Sequence, residues 1–302
     1  MNSGDLLPAP RAGRFAVVGD LQRTSAAELW RESNRDERHR ILRRIASEAP
    51  DFLVLLGDLV FRGSSPRDWR EFDALAAPVR EAGIPLFPIL GNHDYWIRRR
   101  PALTNYFARF PLLAGRRWYS GTYGPLGLLF LDSNRRFLSP TLWREQRDWF
   151  EMELDRFDED PAVSGTLVFV HHPPYTNSTV TADEKHVQVC FVPGFQRARK
   201  SLAMVSGHVH SYERFGRAGK TYLVAGGGGG PRARLATAGR RFRHGDDLFT
   251  GPPLRHFHFL LGTLTPAGLD IQALGLEKRG SEFAPMDRFF LDWPLVPAVA
   301  GP

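Results

Sequence analysis

The sequence predicts an α/β fold on three observations. Short apolar runs alternate with segments of helical period as far as Val205. Four of these runs end on a carboxylate, an amide or an imidazole, with a pair of histidines just after a fifth. Beyond them the pattern changes to strand–turn–strand. At 302 residues the chain is long enough to bury a substantial core. The expected organisation is one domain over 1–302, with its core at about 14–275 and a C-terminal tail at 276–302.

Phe15 to Val18 is an apolar run stopping at Gly19-Asp20, and Phe52 to Leu56 a second stopping at Gly57-Asp58. Between them, Arg38 to Ala49 carries Ile41, Leu42 and Ile45 at helical spacing. Pro66 to Ala82 reads as a second helix, and Pro85 to Leu90 as a third strand ending in Gly91-Asn92-His93-Asp94. Gly127 to Leu131 is a further strand that closes on Asp132. Ser139-Pro140 supplies an N-cap and a proline in the first turn, where its missing N–H costs nothing. The helix it opens sets Leu142, Gln146, Trp149, Phe150, Leu154 and Phe157 along one face. Thr166 to Val170 then delivers His171 and His172, and Leu202 to Val205 delivers Gly207-His208-Val209-His210. Tyr212 to Ala225 has a strand–turn–strand pattern, and Leu254 to Leu264 with Leu269 to Leu274 forms a second pair around Pro266 to Gly268. Gly226 to Gly230 and the Arg- and Gly-rich stretch to Gly251 read as a mobile loop. The glycine run lacks the Lys-Ser/Thr ending and following helix of a nucleotide cradle.

The formal charge is +7 and the positive charge is nearly all arginine, with lysine only at 185, 200, 220 and 278. Arginine grips phosphate bidentately, so Arg98 to Arg100, Arg135 with Arg136, or Arg240, Arg241 and Arg243 could serve an anionic substrate. Arginine spread along a whole chain reads first as solvated surface. Cys190 is the only cysteine, which excludes an intramolecular disulfide and a zinc finger and reads as a small buried residue. The first fifteen residues lack the apolar core of a secretory signal, and nothing later approaches the ~20 apolar residues of a membrane span. The expectation is a cytoplasmic protein with no membrane partner.

The polar residues fall at strand ends, where α/β sheets place their ligand sites: Asp20, Asp58, Asn92 with His93, His171, then His208 and His210. Taken singly each is weak, because Gly-Asp is commonly a turn and a lone histidine is more often structural than a ligand. Together they supply the mixed oxygen and nitrogen donors of a first-row transition-metal site, with enough ligands for two ions. Two ions about 3.5–4 Å apart can share a water, lower its pKa to near neutrality and clamp an in-line displacement at phosphorus.

The blocks GDLQ, GDLV, GNHD, VHHPPY and GHVHSYER, spread between about Phe15 and Leu274, resemble the calcineurin-like metallophosphoesterases. GHVHSYER and VHHPPY are most similar to the purple acid phosphatase side of that family. The resemblance implies a four-layer α/β/β/α sandwich with two divalent or mixed-valence ions (Mn, Fe or Zn) at the strand ends. It implies that Asp20, Asp58 and His210 ligate the first metal, with Gln22 a fourth ligand or a hydrogen-bonding neighbour. Asp58 would bridge to the second metal, completed by Asn92, His171 and His208. It makes His93 the residue that stabilises the transition state or protonates the leaving oxygen, and Asp94 the carboxylate that orients it.

Two positions depart from that pattern. Many relatives have histidine where this chain has Gln22, and the purple enzymes have a metal-bound tyrosine, the source of their colour, where it has Phe61. A neutral amide oxygen would favour a harder ion, iron or manganese over zinc. Phe61 is expected to pack beside the site, and Tyr95 is the next tyrosine that could ligate. His171 fits the family pattern better than His172, which remains the alternative ligand or a pocket residue. His186 reads as solvent-exposed, although a substrate contact is open. His256 and His258 read as the polar face of a strand, and Tyr212, Glu213 and Arg214 as supports of the last ligand or strand packing.

The function implied is hydrolysis of a phosphomonoester or phosphodiester on a small phosphorylated substrate by a metal-bridging hydroxide. The alternative is a non-catalytic metal- or nucleotide-binding module of the same fold, against which stands the retention of His93 and Asp94 beside the ligand set. A nuclease is disfavoured because no stripe of aromatics interleaves with arginine. Substrate identity and oligomeric state are not legible.

Overall fold

The computed structural model describes residues 6–25 and 32–294. Its elements are β1 (Arg14–Val18), α1 (Arg35–Glu48), β2 (Leu53–Leu55), α2 (Pro66–Glu81), β3 (Leu86–Pro88), α3 (Arg99–Arg109), β4 (Tyr119–Tyr123), β5 (Leu126–Phe130) and α4 (Pro140–Glu159). There follow β6 (Gly165–Val170), α5 (Lys185–Cys190), α6 (Val192–Arg197), β7 (Ser201–Ser206), β8 (Tyr212–Arg217), β9 (Lys220–Ala225), β10 (Phe257–Leu264), β11 (Gly268–Leu276) and β12 (Phe283–Asp292).

Two six-stranded mixed sheets result, ordered β12-β11-β10-β1-β2-β3 and β4-β5-β6-β7-β9-β8. Period-two alternation explains how they stack. On β5 and β6, Leu128, Phe130, Leu167 and Phe169 join Phe15, Leu53, Leu260 and Ile271 of the first sheet in one core. Their neighbours Leu129, Val168 and Val170 point the other way, into a second core with Phe150, Leu154 and Phe157 of α4 and Phe195 of α6. Ile41, Leu42 and Ile45 of α1 join the first core, and α1 packs beside α2 against that sheet. The result is the α/β/β/α sandwich expected. Ser139 caps α4 as predicted, its side chain accepting from the Leu142 amide. The buried face of α4 includes Trp143, whereas Trp149 is only half-buried.

Several expectations need correction. Arg98 to Asn105, which includes the anion candidates Arg98 to Arg100 and shows no helical period in the sequence, lies mostly in α3, which hides only Ala102 and Tyr106. The supposed tail contains β12, antiparallel to β11. Its Pro285 lies where the register shifts at Ala273/Leu274 on an edge strand, one of the few places a sheet accepts proline. Residues 295–302 of that tail lie outside the described residues. Cys190 is half-buried and accepts from Trp143 Nε1 at 3.4 Å. His258, expected on a polar face, is fully buried beneath Tyr212, and burial pushes its imidazole down to about 4.

Candidate metal centre

The parallel strands β1, β2, β3, β6 and β7 all run toward one edge of the sandwich. Their carboxyl ends carry Asp20, Asp58, Asn92, His171 and His208, so residues remote in sequence arrive together. Three of these turn out of their strands with left-handed backbone: Asp20 (φ 62°), Asp58 (φ 52°) and His208 (φ 66°). Such conformations cost non-glycine residues energy and cluster where function requires them. Asp20 spends both oxygens on the His208 amide, at 3.0 and 2.9 Å, which joins the β1 end to the β7 end.

The imidazoles are oriented by their far nitrogens. His171 Nδ1 lies 2.7 Å from the Leu56 carbonyl, His210 Nδ1 2.8 Å from that of Pro231, and His93 Nδ1 2.9 Å from that of Phe61. A carbonyl only accepts, so each Nδ1 carries a proton and each Nε2 is turned inward. His171 Nε2 lies 3.4 Å from Asp58 Oδ2 and 3.1 Å from Asn92 Oδ1. His208 Nδ1 lies 3.2 Å from His171 Nε2, and His210 Nε2 3.5 Å from Asp20 Oδ1. Asp20, Asp58 and His171 present ligand atoms all within 4.8 Å of one another, and so do His171, His172 and His208. Facing lone pairs packed this closely suit cations between them, and the mixed oxygen and nitrogen set fits a transition metal.

Gln22 is buried, and its amide fits best with its nitrogen toward the carbonyls of Asp58 and Asp20 (3.0 and 3.2 Å) and its oxygen 3.0 Å from His210 Nε2. That orientation turns a neutral donor oxygen toward the centre. Burial alone would raise the Asp58 carboxyl, but the charges of His171 and His93 hold it far below the usual range. Burial opposes protonation of His171, yet Asp58 lifts it to about 9. The two form an ion pair in which a cation can take the proton's place.

His93 and Asp94 sit differently from the pairing expected. Asp94 is fully buried and its oxygens accept from the amides of Asp58, Leu59 and Gly91, each at 2.9 Å. It therefore holds the β2 and β3 loops together, while the Phe61 carbonyl orients His93. Burial first, and then the charge of Asp58, push Asp94 up to about 8. Among the described residues, the carboxylate nearest the His93 ring nitrogens is Asp58, with Oδ2 4.0 Å from Nε2. Gly91 is required in this loop, because a Cβ there would strike the Asp58 carboxyl.

Gly226 to Gly230 are buried and fastened to the centre, with the Gly228 amide donating to Gly19 and that of Gly230 to Asp20, both at 2.8 Å. The expected mobility fails there for a steric reason: at Gly230 a Cβ would come within 2.5 Å of the His210 ring. Arg243 and His244 further along pair with Asp183, which takes Arg243 out of the anion-binding candidates.

Phe61 packs beside the site, its ring 5.2 Å from that of His93. Tyr95 points elsewhere, donating to Asp132 at 2.5 Å and stacking on Phe137 at 4.5 Å. An iron-loaded sample should therefore lack an intense visible band, and Phe61→Tyr should create one. An intense band in the unmodified protein would contradict this placement. Two residues escaped the sequence reading. Ser133 Oγ accepts from the amides of His171 and His172 (3.2 and 3.0 Å) and meets His172 Nδ1 at 2.9 Å. Trp96 lies over His93, with ring centroids 3.8 Å apart. A serine just after the strand-ending Asp132 was the available signal for the first. His172 and exposed His186 line a cleft of about 550 Å³ beside the centre, together with Asn92, Trp96 and His208.

A family model described as calcineurin-like phosphoesterase matches residues 13–212. The chain is 24% identical to purple acid phosphatase 15 of Arabidopsis thaliana over 280 residues, covering 80% of the chain and 48% of that protein. It is 29% identical to a probable cyclic nucleotide phosphodiesterase of Synechococcus sp. over 187 residues, covering 59% of the chain and 65% of that protein. The chain spans about half the length of most of the first curated relatives it matches. The fold is similar to purple acid phosphatase PPD1 from yellow lupin seeds, with a TM-score of 0.71 at 20% identity over 92% of this chain and 53% of that one.

Proposed function

Since the chain belongs to the calcineurin-like phosphoesterase family, we propose that it hydrolyses a phosphomonoester or phosphodiester at this centre. Asp20, Asp58 and His210, with the Gln22 oxygen, would hold one ion, and Asp58, Asn92, His171 and His208 the other. The observation that carries this reading is the inward turn of Nε2 on His171 and His210, each fixed by a carbonyl at Nδ1, onto two buried carboxylates. When bound, such ions supply water acidic enough to attack near neutral pH and positive charge for the phosphoryl oxygens.

The remaining chemistry belongs to the side chains. His93, held at Nδ1 by Phe61, offers Nε2 on the side facing Asp58, where a proton can pass to the departing oxygen. Trp96 and Phe61 cover its ring and limit its rotation. His172, fixed by Ser133, adds a polar contact in the cleft.

The test is a panel of mono- and diesters on metal-stripped protein, with Mn, Fe, Zn and Mg restored separately. Turnover should be absent without metal and return with a transition metal. No turnover with any metal would favour the binding-module alternative.

A further inference from the structure

The cleft has a basic wall that the proposed chemistry does not use. At about 550 Å³ it is larger than a single phosphate needs, and its lining runs from Asn92, His172 and His208 to Arg135 and Arg136 on a 3-10 turn. Half-buried arginines such as Arg23, Arg109, Arg217 and Arg232 each meet a carboxylate. Arg135 and Arg136 make no ion pair among the described residues. Arg135 is half-buried, donates to the Leu138 carbonyl at 3.3 Å and lies 5.7 Å over the Trp143 ring. Those contacts fix its plane. The turn is held by two further cations: Arg99 and Arg117 donate to the Phe137 carbonyl at 3.0 and 3.4 Å, and neither has a carboxylate partner among the described residues. Glu184 is the carboxylate in the lining, and its Oε1 caps α5 through the His186 amide. Arginine is thus concentrated, without a direct ion pair among the described residues, on one wall of a cleft that opens onto the centre.

We propose that Arg135 and Arg136 form a second anion subsite, so that the preferred substrate is a small soluble ester carrying a further phosphate besides the one cleaved. The Arg135 guanidinium, fixed and already partly removed from water, binds phosphate through paired N–H donors at little ordering cost, and the exposed Arg136 beside it adds a second positive charge. This rests on the phosphoesterase reading for what is cleaved, but not for what is bound.

The binding arm uses ligands with no ester to cleave: butane-1,4-diphosphonate against butylphosphonate, by calorimetry on manganese-loaded protein. The diphosphonate should bind about 10–100-fold more tightly, the range expected of charge-assisted hydrogen bonds. R135A/R136A should bring the two affinities together, R135K/R136K should keep part of the difference, and R288A, which breaks a distant pair with Asp270, should keep all of it. The kinetic arm compares glucose 1,6-bisphosphate with glucose 6-phosphate, with the preference expected mainly in KM. Equal affinities in the unaltered protein, or a preference that survives R135A/R136A, overturns the subsite. Turnover of bisphosphates only when carried by phosphatidylinositol bisphosphate in phosphatidylcholine vesicles overturns the soluble substrate. A binding preference without turnover of any ester supports the subsite and instead removes the phosphoesterase reading.

Discussion

Asp58→Asn is expected to abolish nearly all turnover and to lower metal content from two equivalents per chain to one or none. The substitution is informative because it changes little else. Asparagine tolerates the left-handed backbone that Asp58 adopts at φ 52°. Its side-chain oxygen can still accept from the His93 amide, a contact Asp58 Oδ1 makes at 2.8 Å. The buried negative charge is lost, and with it a carboxylate able to offer one oxygen to each of two ions. Elemental analysis after reconstitution, beside the unfolding curve of the metal-free variant, separates the effects. Normal metal content and turnover in a folded Asp58→Asn protein would remove the bridging role.

His93→Ala should leave both metals bound and reduce turnover about 10²–10⁴-fold for an ester whose leaving group needs a proton. His93 Nδ1 is spent on the Phe61 carbonyl, so the nitrogen lost to the reaction is Nε2. For a nitrophenyl ester, whose leaving group departs unaided, the loss should shrink. Equal losses for the two esters would leave electrostatic stabilisation as the only role of the ring. Because Asp94 reaches the loop amides rather than the imidazole, Asp94→Asn should act differently. It should weaken metal binding and stability by disturbing the Asp58 loop, without the leaving-group signature.

The placement of these residues was legible to different depths. The strand ends were readable because Asp20, Asp58, Asn92 and His171 each interrupt an apolar run, and although one such interruption is commonly a turn, four of them in one chain supply a donor set. The resemblance made Asp94 the carboxylate that orients His93, whereas the 3-10 turn at His93–Tyr95 sends the two side chains to different partners. The burial of Gly226 to Gly230 was invisible because composition reports conformational freedom and not the walls that need a residue without Cβ. β12 was missed for another reason: its burial alternates from Asp287 to Asp292, but the register shift beside Pro285 breaks the period and the exposed Phe290 puts an apolar residue on its outer face. Arg135 and Arg136 were visible as a pair, but their want of a counterion is a property of space.

The pairing of β1 with β10 sets a timetable for assembly. Phe15 lies opposite Gly262 in that ladder, so the strand bearing Asp20 lacks one neighbour until nearly the whole chain exists. At about 5–20 residues per second on a ribosome, that wait is on the order of 10–50 s. Through it, Phe15 to Val18 remain an open apolar edge, the kind of segment prone to aggregate and slow to find distant partners. Halting synthesis before Phe257 should therefore leave a nascent chain that protease digests at the β1 end, whereas the second sheet, all of whose strands from β4 to β9 precede β10, can already resist cleavage.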